Sequence, residues 1–322
     1  MHNRLRPFNP SSPVSSPPVA LYKEGMHHLE LKSNKFSPHP YILITITISN
    51  DTNCYLLFAY KPFSFIPFPS LIMGLNKILL SALLATLPAV RAEQIFTNRG
   101  TLEGWEGTQT EHNGEIKEVT DVFFDVAPAL AMSQTFDASY TGRYHSEVRV
   151  LNAYRHGDTR FYGFAFRLPP DWQFDPPQSY DLAQFIAPFD QCDTFMPTTM
   201  FWLEGANLFT RLKSGSVCDQ KTQELPLNAT VKAGEWHKVI IEASWTSDPT
   251  GFLRLTFDGT KVLDEQNVAT TVSEDVPFQF RVGLYANGWH DDKGMKGTQG
   301  FRQVFYDKVA IATTQDEADP DK

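Results

Sequence analysis

Between residues 144 and 312 the sequence alternates short runs of β-branched and aromatic residues with clusters of turn-forming residues. Ten such runs are typical of short strands, and no segment of useful length keeps a helical period. Asp258-Gly259 and Gly205-Ala206-Asn207 each separate two of these runs and are typical of hairpins. Many short strands within about 230 residues predict an all-β domain, either a two-sheet sandwich or a jelly roll.

The predicted strands are 144–151, 160–168, 181–187, 199–203, 208–213, 237–244, 251–257, 260–264, 278–286 and 303–312. Residues 125–133 are the best short helix candidate, because no other stretch outside these strands approaches a helical pattern. The last residues, 316–322, are polar and predict a frayed end.

The first 92 residues differ in composition from the rest. Residues 1–72 contain proline-rich runs and interrupted apolar patches, with no evident strand pair. Residues 73–92 combine Lys77, an apolar stretch of ten residues and a Val90-x-Ala92 cleavage pattern, which indicates a secretory signal peptide. We therefore interpret 1–72 as a misassigned or disordered extension and 93–322 as the mature domain of an extracellular protein. A propeptide-like leader or an internal signal anchor is the alternative.

The predicted mature domain is acidic and contains two cysteines. Eight of the 28 basic and three of the 37 acidic residues precede Glu93, which leaves a formal charge of −14. That charge argues against a general nucleic-acid binder. Cys192 and Cys218 are most simply one disulfide in a secreted chain. Asn228-Ala229-Thr230 is a glycosylation sequon expected in a surface loop.

Familiar catalytic motifs are absent from the sequence, including Gly-x-Ser-x-Gly, the phosphate-binding loop and His-Glu-x-x-His. A different signal comes from strand 144–151, which places His145, Glu147 and Arg149 on one face because side chains alternate along a strand. Such a row forms either a solvated outer face or the floor of a polar cleft, since buried charges need partners.

Two further strands carry polar residues among apolar ones. Gln184 interrupts an apolar run, either as a hydrogen-bonded core residue or as an amide donor to a substrate carboxylate. Gln279, Arg281, Gly283 and Tyr285 share one face of strand 278–286, where Gly283 permits a close approach to the backbone. Taken alone, Tyr285 could equally be a core tyrosine with a satisfied hydroxyl.

Together these segments resemble the jelly-roll polysaccharide lyases. Alginate lyases of that group carry Arg-x-Glu-Leu-Arg, Gln-Ile-His or Gln-Val-His, and Tyr-Phe-Lys-Ala-Gly-x-Tyr-Asn-Gln strands. The segments here are His145-Ser-Glu-Val-Arg149, Gln184-Phe-Ile186 and Gln279-Phe-Arg-Val-Gly-Leu-Tyr-Ala-Asn287. The resemblance is closer to fungal glucuronan lyases of polysaccharide lyase family 20. It covers nearly all of 93–322, including 157–169, 234–239 and 283–290.

The sequence departs from the alginate lyase pattern at two positions. His145 stands where that pattern begins with arginine, and Ile186 stands where it ends with histidine. Since isoleucine cannot accept a proton, His145 becomes the candidate histidine, and histidine titrates near neutrality.

The resemblance implies a concanavalin A-like jelly roll that cleaves β-1,4-glucuronan by β-elimination to 4,5-unsaturated products. Gln184 and Arg149, aided by His145, would neutralise the uronate carboxylate as negative charge develops. Tyr285 would remove the C5 proton and protonate O4, which leave from the same side of the sugar. That role requires a lowered pKa of Tyr285, favoured by a nearby cation. Glu147 would orient Arg149.

Further roles follow from the same resemblance. Arg281 and Asn287 are candidate sugar-binding residues with Glu147, and Trp289 would stack on a sugar unless it packs in the core. The family also suggests a structural calcium, with Asp307 as its candidate ligand. A polyanionic substrate requires local positive charge despite the acidic domain. The candidate residues are Arg143, Arg149, Arg155, Arg160, Arg211, Lys213 and Arg281.

The predicted partner is an acidic polysaccharide. We expect a monomer that binds no nucleic acid and, in its mature form, no membrane. Two alternatives stay open at this level. The polymer could be another uronan such as mannuronan or alginate, or the domain could be a noncatalytic carbohydrate-binding jelly roll. A binding module would have no need of the proton-transfer residues Tyr285 and His145.

Overall fold

The computed structural model describes residues 92–192 and 195–322, preceded by two short strands. The chain divides into two compact units, Met1–Pro88 and Ala89–Lys322. In the first unit β1 (Glu30–Ser33) pairs antiparallel with β2 (Ile42–Thr45), so the prediction that 1–72 has no strand pair was wrong. The predicted signal segment 73–92 lies outside the described residues, apart from its last residue, and stays a prediction.

Two antiparallel sheets form the second unit. The first, which we name the front sheet, has seven strands. In spatial order they are β12 (Asp219–Thr230), β11 (Asn207–Ser216), β10 (Phe195–Glu204), β9 (Ser179–Pro188), β16 (Phe278–Tyr285), β7 (His145–Tyr154) and β4 (Gly107–Thr110).

The other sheet, which we name the back sheet, has eight strands, seven of them in its main path. They are β15 (Thr260–Val268), β14 (Gly251–Phe257), β13 (Trp236–Ser244), β8 (Thr159–Arg167), β17 (Phe301–Ala312), β6 (Ala129–Thr135) and β5 (Glu115–Val119), with β3 (Gln94–Asn98) also paired to β17. Two short helices, α1 (Asn287–Asp291) and α2 (Gln315–Ala318), complete the unit. The all-β jelly-roll prediction is confirmed.

All ten predicted strands are present, most of them longer than the sequence indicated. The Asp258-Gly259 hairpin is also confirmed, with both residues at positive φ as this tight turn requires. The helix predicted over 125–133 was wrong, because β6 begins at Ala129 and pairs with β5 and β17. Alanine, leucine and methionine favour helices in isolation, but burial inside the sheet overrides that preference.

The core lies between the two sheets and is rich in aromatic side chains. Trp245 of the loop after β13 stacks on Tyr154 of the front sheet with ring centroids 3.8 Å apart. Phe185 and Tyr162 pack edge to face across the sheets, with centroids 4.7 Å apart. Burial of each such side chain contributes roughly 1.5–3 kcal/mol. This packing fixes the front sheet so that its other face can carry polar residues.

Cys192 and Cys218 form the predicted disulfide. It links the segment after β9 to the turn between β11 and β12, on the front sheet. Asn228 is exposed, but it lies on edge strand β12 and not in the loop that the sequence suggested. Glycosylation there stays a prediction.

The carboxyl-terminal segment is packed against the back sheet, so the predicted frayed end was wrong. Ala318 is buried, and its carbonyl oxygen lies 1.6 Å from the position that a Cβ on Gly163 would occupy. Glycine at 163 therefore makes room for α2. Among the described residues no helix is long and apolar enough to cross a membrane.

Candidate active site

The polar residues predicted on three strands meet on the face of the front sheet that points away from the core, which we name the outward face. Strand β16 lies between β7 and β9 and therefore aligns both neighbours. Gln184 of β9 lies opposite Arg281. The pairs on the β7 side are His145 with Tyr285, Glu147 with Gly283, and Arg149 with Arg281.

Glu147 is the centre of this group and is buried, with 1% of its surface exposed. Its Oε2 lies 2.7 Å from Nδ1 of His145, and its Oε1 accepts a hydrogen bond of 2.5 Å from the Gln184 amide. Nη1 of Arg281 lies 3.6 Å from Oε2. Burial alone raises the pKa of Glu147, but His145, Arg281 and Gln184 outweigh it, so the net pKa is lowered.

Gly283 lets β7 and β16 approach each other beside Glu147. A Cβ atom on Gly283 would lie 2.3 Å from the carbonyl oxygen of Ser146 and 2.6 Å from the Cα of Glu147. The close approach predicted from this glycine is therefore to the neighbouring strand, and it leaves space above Glu147 free of a side chain.

Tyr285 stacks on His145, with ring centroids 3.8 Å apart and an angle of 18° between the planes. Nη1 of Arg143 donates a hydrogen bond of 3.4 Å to its hydroxyl oxygen. Burial raises the pKa of Tyr285, and Arg143 offsets only part of that effect. The expectation of a lowered pKa was wrong in this structure, because a single exposed guanidinium does not outweigh the loss of hydration.

The two arginines of the row have different surroundings. Arg281 is buried and donates hydrogen bonds to Gln279 and, at 2.5 Å, to Gln109 of β4. Arg149 is half-buried against Gly107, and its Nε has no hydrogen-bond partner among the described residues. Glu147 pairs with Arg281, so the expectation that it orients Arg149 was wrong.

The residues predicted beyond Tyr285 lie on α1. Trp289 is 2% exposed and packs edge to face on Tyr144, with centroids 5.0 Å apart. It is therefore a core residue and not a free platform for a sugar. Asn287 is largely buried and donates a hydrogen bond of 2.9 Å to Ser179 Oγ, while its Oδ1 has no partner among the described residues.

Comparison with known proteins assigns the family. A model described as polysaccharide lyase matches residues 97–310. The chain belongs to the polysaccharide lyase family. It is similar to the crystal structure of an endo-β-1,4-glucuronan lyase from the fungus Trichoderma reesei, with 50% sequence identity and a TM-score of 0.70. That match covers 71% of this chain and 100% of the other. No curated protein sequence matches the chain significantly.

Two alginate lyases are more distant. A PL-14 enzyme from Aplysia kurodai has 8% identity and a TM-score of 0.46, covering 68% of this chain and 98% of that one. A family 7 alginate lyase has 12% identity and a TM-score of 0.38, covering 63% and 84%. Both similarities are too low to indicate the function of this chain. Family membership makes this protein a polysaccharide lyase and excludes the noncatalytic alternative.

The basic residues of the lyase are divided between the sheets. Arg143 contacts Tyr285, and Arg149 and Arg281 lie opposite each other four residues away along β7 and β16. Nη2 of Arg211 on β11 donates to the Pro197 carbonyl at 2.9 Å. Arg160 instead lies on the back sheet and pairs with Asp158. The local positive charge therefore comes from a smaller set than the sequence suggested.

Asp307 does not fit the predicted calcium site. It is buried on β17, where its two oxygens accept backbone hydrogen bonds from Phe124 and Lys308 at 3.0 and 2.7 Å. The Lys308 ammonium lies nearby, 3.0 Å from Asp125. Within residues 92–192 and 195–322 no three His, Cys, Asp or Glu side chains converge on one point. A structural calcium stays a prediction without a ligand set.

Three outward-face residues were missed by the sequence analysis. Gln109 lies on β4, which is short, polar and gives no strand signal. Asp181 and Trp202 are opposite each other on β9 and β10. An acidic residue in the apolar run of β9 was a visible signal, but simple alternation places Asp181 on the face opposite Gln184. Register shifts on both sides of β9 bring both residues to the same face.

Proposed function

We propose that this lyase is secreted and cleaves β-1,4-glucuronan by β-elimination, releasing 4,5-unsaturated oligouronides. The observation that carries the proposal is the buried row in which Glu147 holds His145 and Gln184 beside Tyr285. The 50% identity to a fungal endo-β-1,4-glucuronan lyase supports the choice of polymer.

The first requirement of the reaction is to neutralise the uronate carboxylate, because removal of the C5 proton adds negative charge to it. Arg149 is half-buried and forms no hydrogen bond or ion pair among the described residues, so the terminal nitrogens of its guanidinium have donor capacity for this task. Gln184 and Arg281 are already bound to Glu147. We therefore assign Gln184 and Arg281 to a fixed, hydrogen-bonded floor beneath the sugar, with Arg149 contacting the carboxylate.

The second requirement is proton transfer on one side of the sugar. The His145–Tyr285 stack supplies two such groups from adjacent strands. With the Nδ1 proton of His145 directed to Glu147, its Nε2 lone pair can accept the C5 proton. Tyr285, whose pKa is raised, then donates its proton to the departing O4. This assignment replaces the single-tyrosine mechanism that the resemblance implied.

The decisive measurement is ultraviolet absorbance of the purified protein incubated with glucuronan, with mannuronan and pectate in parallel. A rise with glucuronan alone reports the conjugated 4,5-double bond, which hydrolysis does not form, and supports the proposal. A rise only with mannuronan or pectate would reassign the polymer. No rise with any of them, from folded protein, would contradict the proposed reaction.

Secretion has its own test. The lyase expressed in a fungal host should accumulate in the medium with Glu93 as its first residue, determined by amino-terminal sequencing. Retention in the cell with residues 73–92 intact would contradict the proposed secretion without affecting the reaction.

A further inference from the structure

Asp181 is a buried acid at the centre of the outward face that the proposed reaction does not use. It lies opposite Tyr285 on one side and Trp202 on the other, and only 1% of its surface is exposed. Its chain neighbours Tyr180 and Leu182 belong to the core, so its own side chain points to the outward face. Asp181 therefore lies just beneath the outward face, next to Tyr285.

The surroundings of Asp181 contrast with those of Glu147. Both oxygens of Asp181 are inaccessible to water, and no described residue forms a hydrogen bond of acceptable geometry with either one. A carboxylate in such a place would lose its hydration without replacement, a cost that proteins avoid by keeping the group neutral. Burial and the charge of Glu147 accordingly raise the pKa of Asp181, and Arg211 and the nearby N–H groups of Leu182 and Ala183 offset little.

The titratable groups that interact electrostatically with Asp181 are Tyr285 on β16, Glu147 on β7, Arg211 on β11 and Tyr306 on β17. Next to these groups lie His145, Arg281 and Asp291. None of the cations among them forms an ion pair with Asp181 in the described structure, because Arg211 is bound to the Pro197 carbonyl and Arg281 to Glu147.

We propose that Asp181 is a positioning residue that acts as a neutral carboxylic acid, and that its ionisation at alkaline pH closes the site to a uronate polymer. This inference rests on the proposed function and assigns to Asp181 the upper limit of the pH range in which the enzyme is active.

The physical reason is the number of negative charges in one small volume. The substrate brings one carboxylate, which gains further charge as the C5 proton leaves, and Glu147 already supplies another below it. An ionised Asp181 opposite Tyr285 would repel the substrate and weaken Tyr285 as an acid. A neutral Asp181 avoids both effects and fills the same volume.

The first experiment needs no activity. Infrared difference spectra of the wild type minus Asp181→Asn at neutral pH should show the carbonyl stretch of one protonated carboxyl group. Folding raises the pKa of Asp181, so its protonation stabilises the folded state. That contribution to the unfolding free energy is fully present below the unfolded-state pKa and is lost as pH rises through the folded-state pKa. Asp181→Asn should therefore gain thermal stability relative to the wild type as pH rises. A carboxylate band in the difference spectrum would overturn the proposal.

The second experiment is the pH profile of kcat/KM on glucuronan. The alkaline limb of Asp181→Asn should move to higher pH, with activity several-fold above the wild type there. Glu147→Gln is the matched control, because Glu147 acts as an anion and its loss should lower kcat/KM at every pH. An unmoved limb, or a loss of Asp181→Asn activity at every pH, would overturn the proposed role. An inactive wild type with the protonated-acid spectrum would instead contradict the proposed function alone.

Discussion

The two sheets contain the same kind of ion pair in opposite settings. On the back sheet, Arg254 binds Glu242 at 3.0 Å while both side chains stay partly exposed. On the front sheet, Arg281 lies 3.6 Å from Glu147 and both side chains are almost fully buried. Water hydrates the first pair whether or not it forms, whereas the second depends entirely on its protein partners. The Arg254–Glu242 pair therefore contributes little to the back sheet, whereas the Arg281–Glu147 pair holds polar residues of the front sheet in place.

The largest effect should come from Tyr285→Phe, which removes one hydroxyl from the front sheet. We expect kcat on glucuronan to fall by about 10³-fold, within the usual range for general acid catalysis, with polymer binding largely kept. Steady-state kinetics and a binding assay with intact polymer measure the two quantities.

A substrate carrying fluoride at C4 sharpens this test, since fluoride leaves without a proton. Tyr285→Phe should recover most of its activity on that substrate, whereas His145→Ala should not. The opposite pattern would assign the base to Tyr285 and contradict our division of roles.

Breaking the buried pair should cost most in stability. Glu147→Ala leaves Arg281 and His145 without their anion, and we expect it to lower the free energy of unfolding by about 3–5 kcal/mol. Chemical denaturation near neutral pH measures this change. A loss below about 1 kcal/mol would place Glu147 in the same class as exposed acids.

The stability that Glu147 supplies should also depend on pH. Its pKa is lowered on folding, so its contribution is present above the ordinary value of 4.5 and disappears as pH falls through the folded-state pKa. The gap in unfolding free energy between the wild type and Glu147→Gln should therefore narrow in acid. A gap that widens in acid would contradict the lowered pKa.

Phe195 offers a smaller test at the edge of the buried row. Its ring is 39% exposed and lies 4.9 Å from the guanidinium of Arg281. We expect Phe195→Ala to raise KM for glucuronan several-fold, since a stacking contact contributes about 1 kcal/mol, and to leave kcat within about twofold. A fall in kcat with constant KM would instead show that Phe195 supports Arg281 during the reaction.

The smallest effect is expected on the back sheet. Glu242→Ala breaks the exposed pair with Arg254 and should change the free energy of unfolding by less than about 1 kcal/mol. It is the matched control for Glu147→Ala in the same denaturation series. Equal losses of unfolding free energy in Glu242→Ala and Glu147→Ala would contradict the proposed difference between the two ion pairs.

The sequence predicted much of this arrangement because alternation along a strand is a strong signal. It placed His145, Glu147 and Arg149 on one face and Tyr285 with Arg281 on another strand, as the structure has them. The β12 strand was missed because its residues are polar and exposed, which removes the alternation.

Contacts between strands were harder to predict. Nothing in the local pattern indicates that Glu147 pairs with Arg281 and not with Arg149, since that choice depends on the register of β7 against β16. Asp181 was missed for a related reason. A register shift changes which face a residue occupies, and shifts are set by neighbouring strands and not by the strand's own residues.

Edge strand β12 of the front sheet affects whether lyase molecules at high local concentration associate with one another. Among the described strands of its sheet, β12 pairs with β11 alone, and its exposed positions include Lys221, Glu224 and Pro226. Charged side chains and a proline that lacks an N–H group make such an edge a poor template for a strand from a second molecule. This edge therefore resists strand pairing between lyase copies that are gathered along one polymer chain.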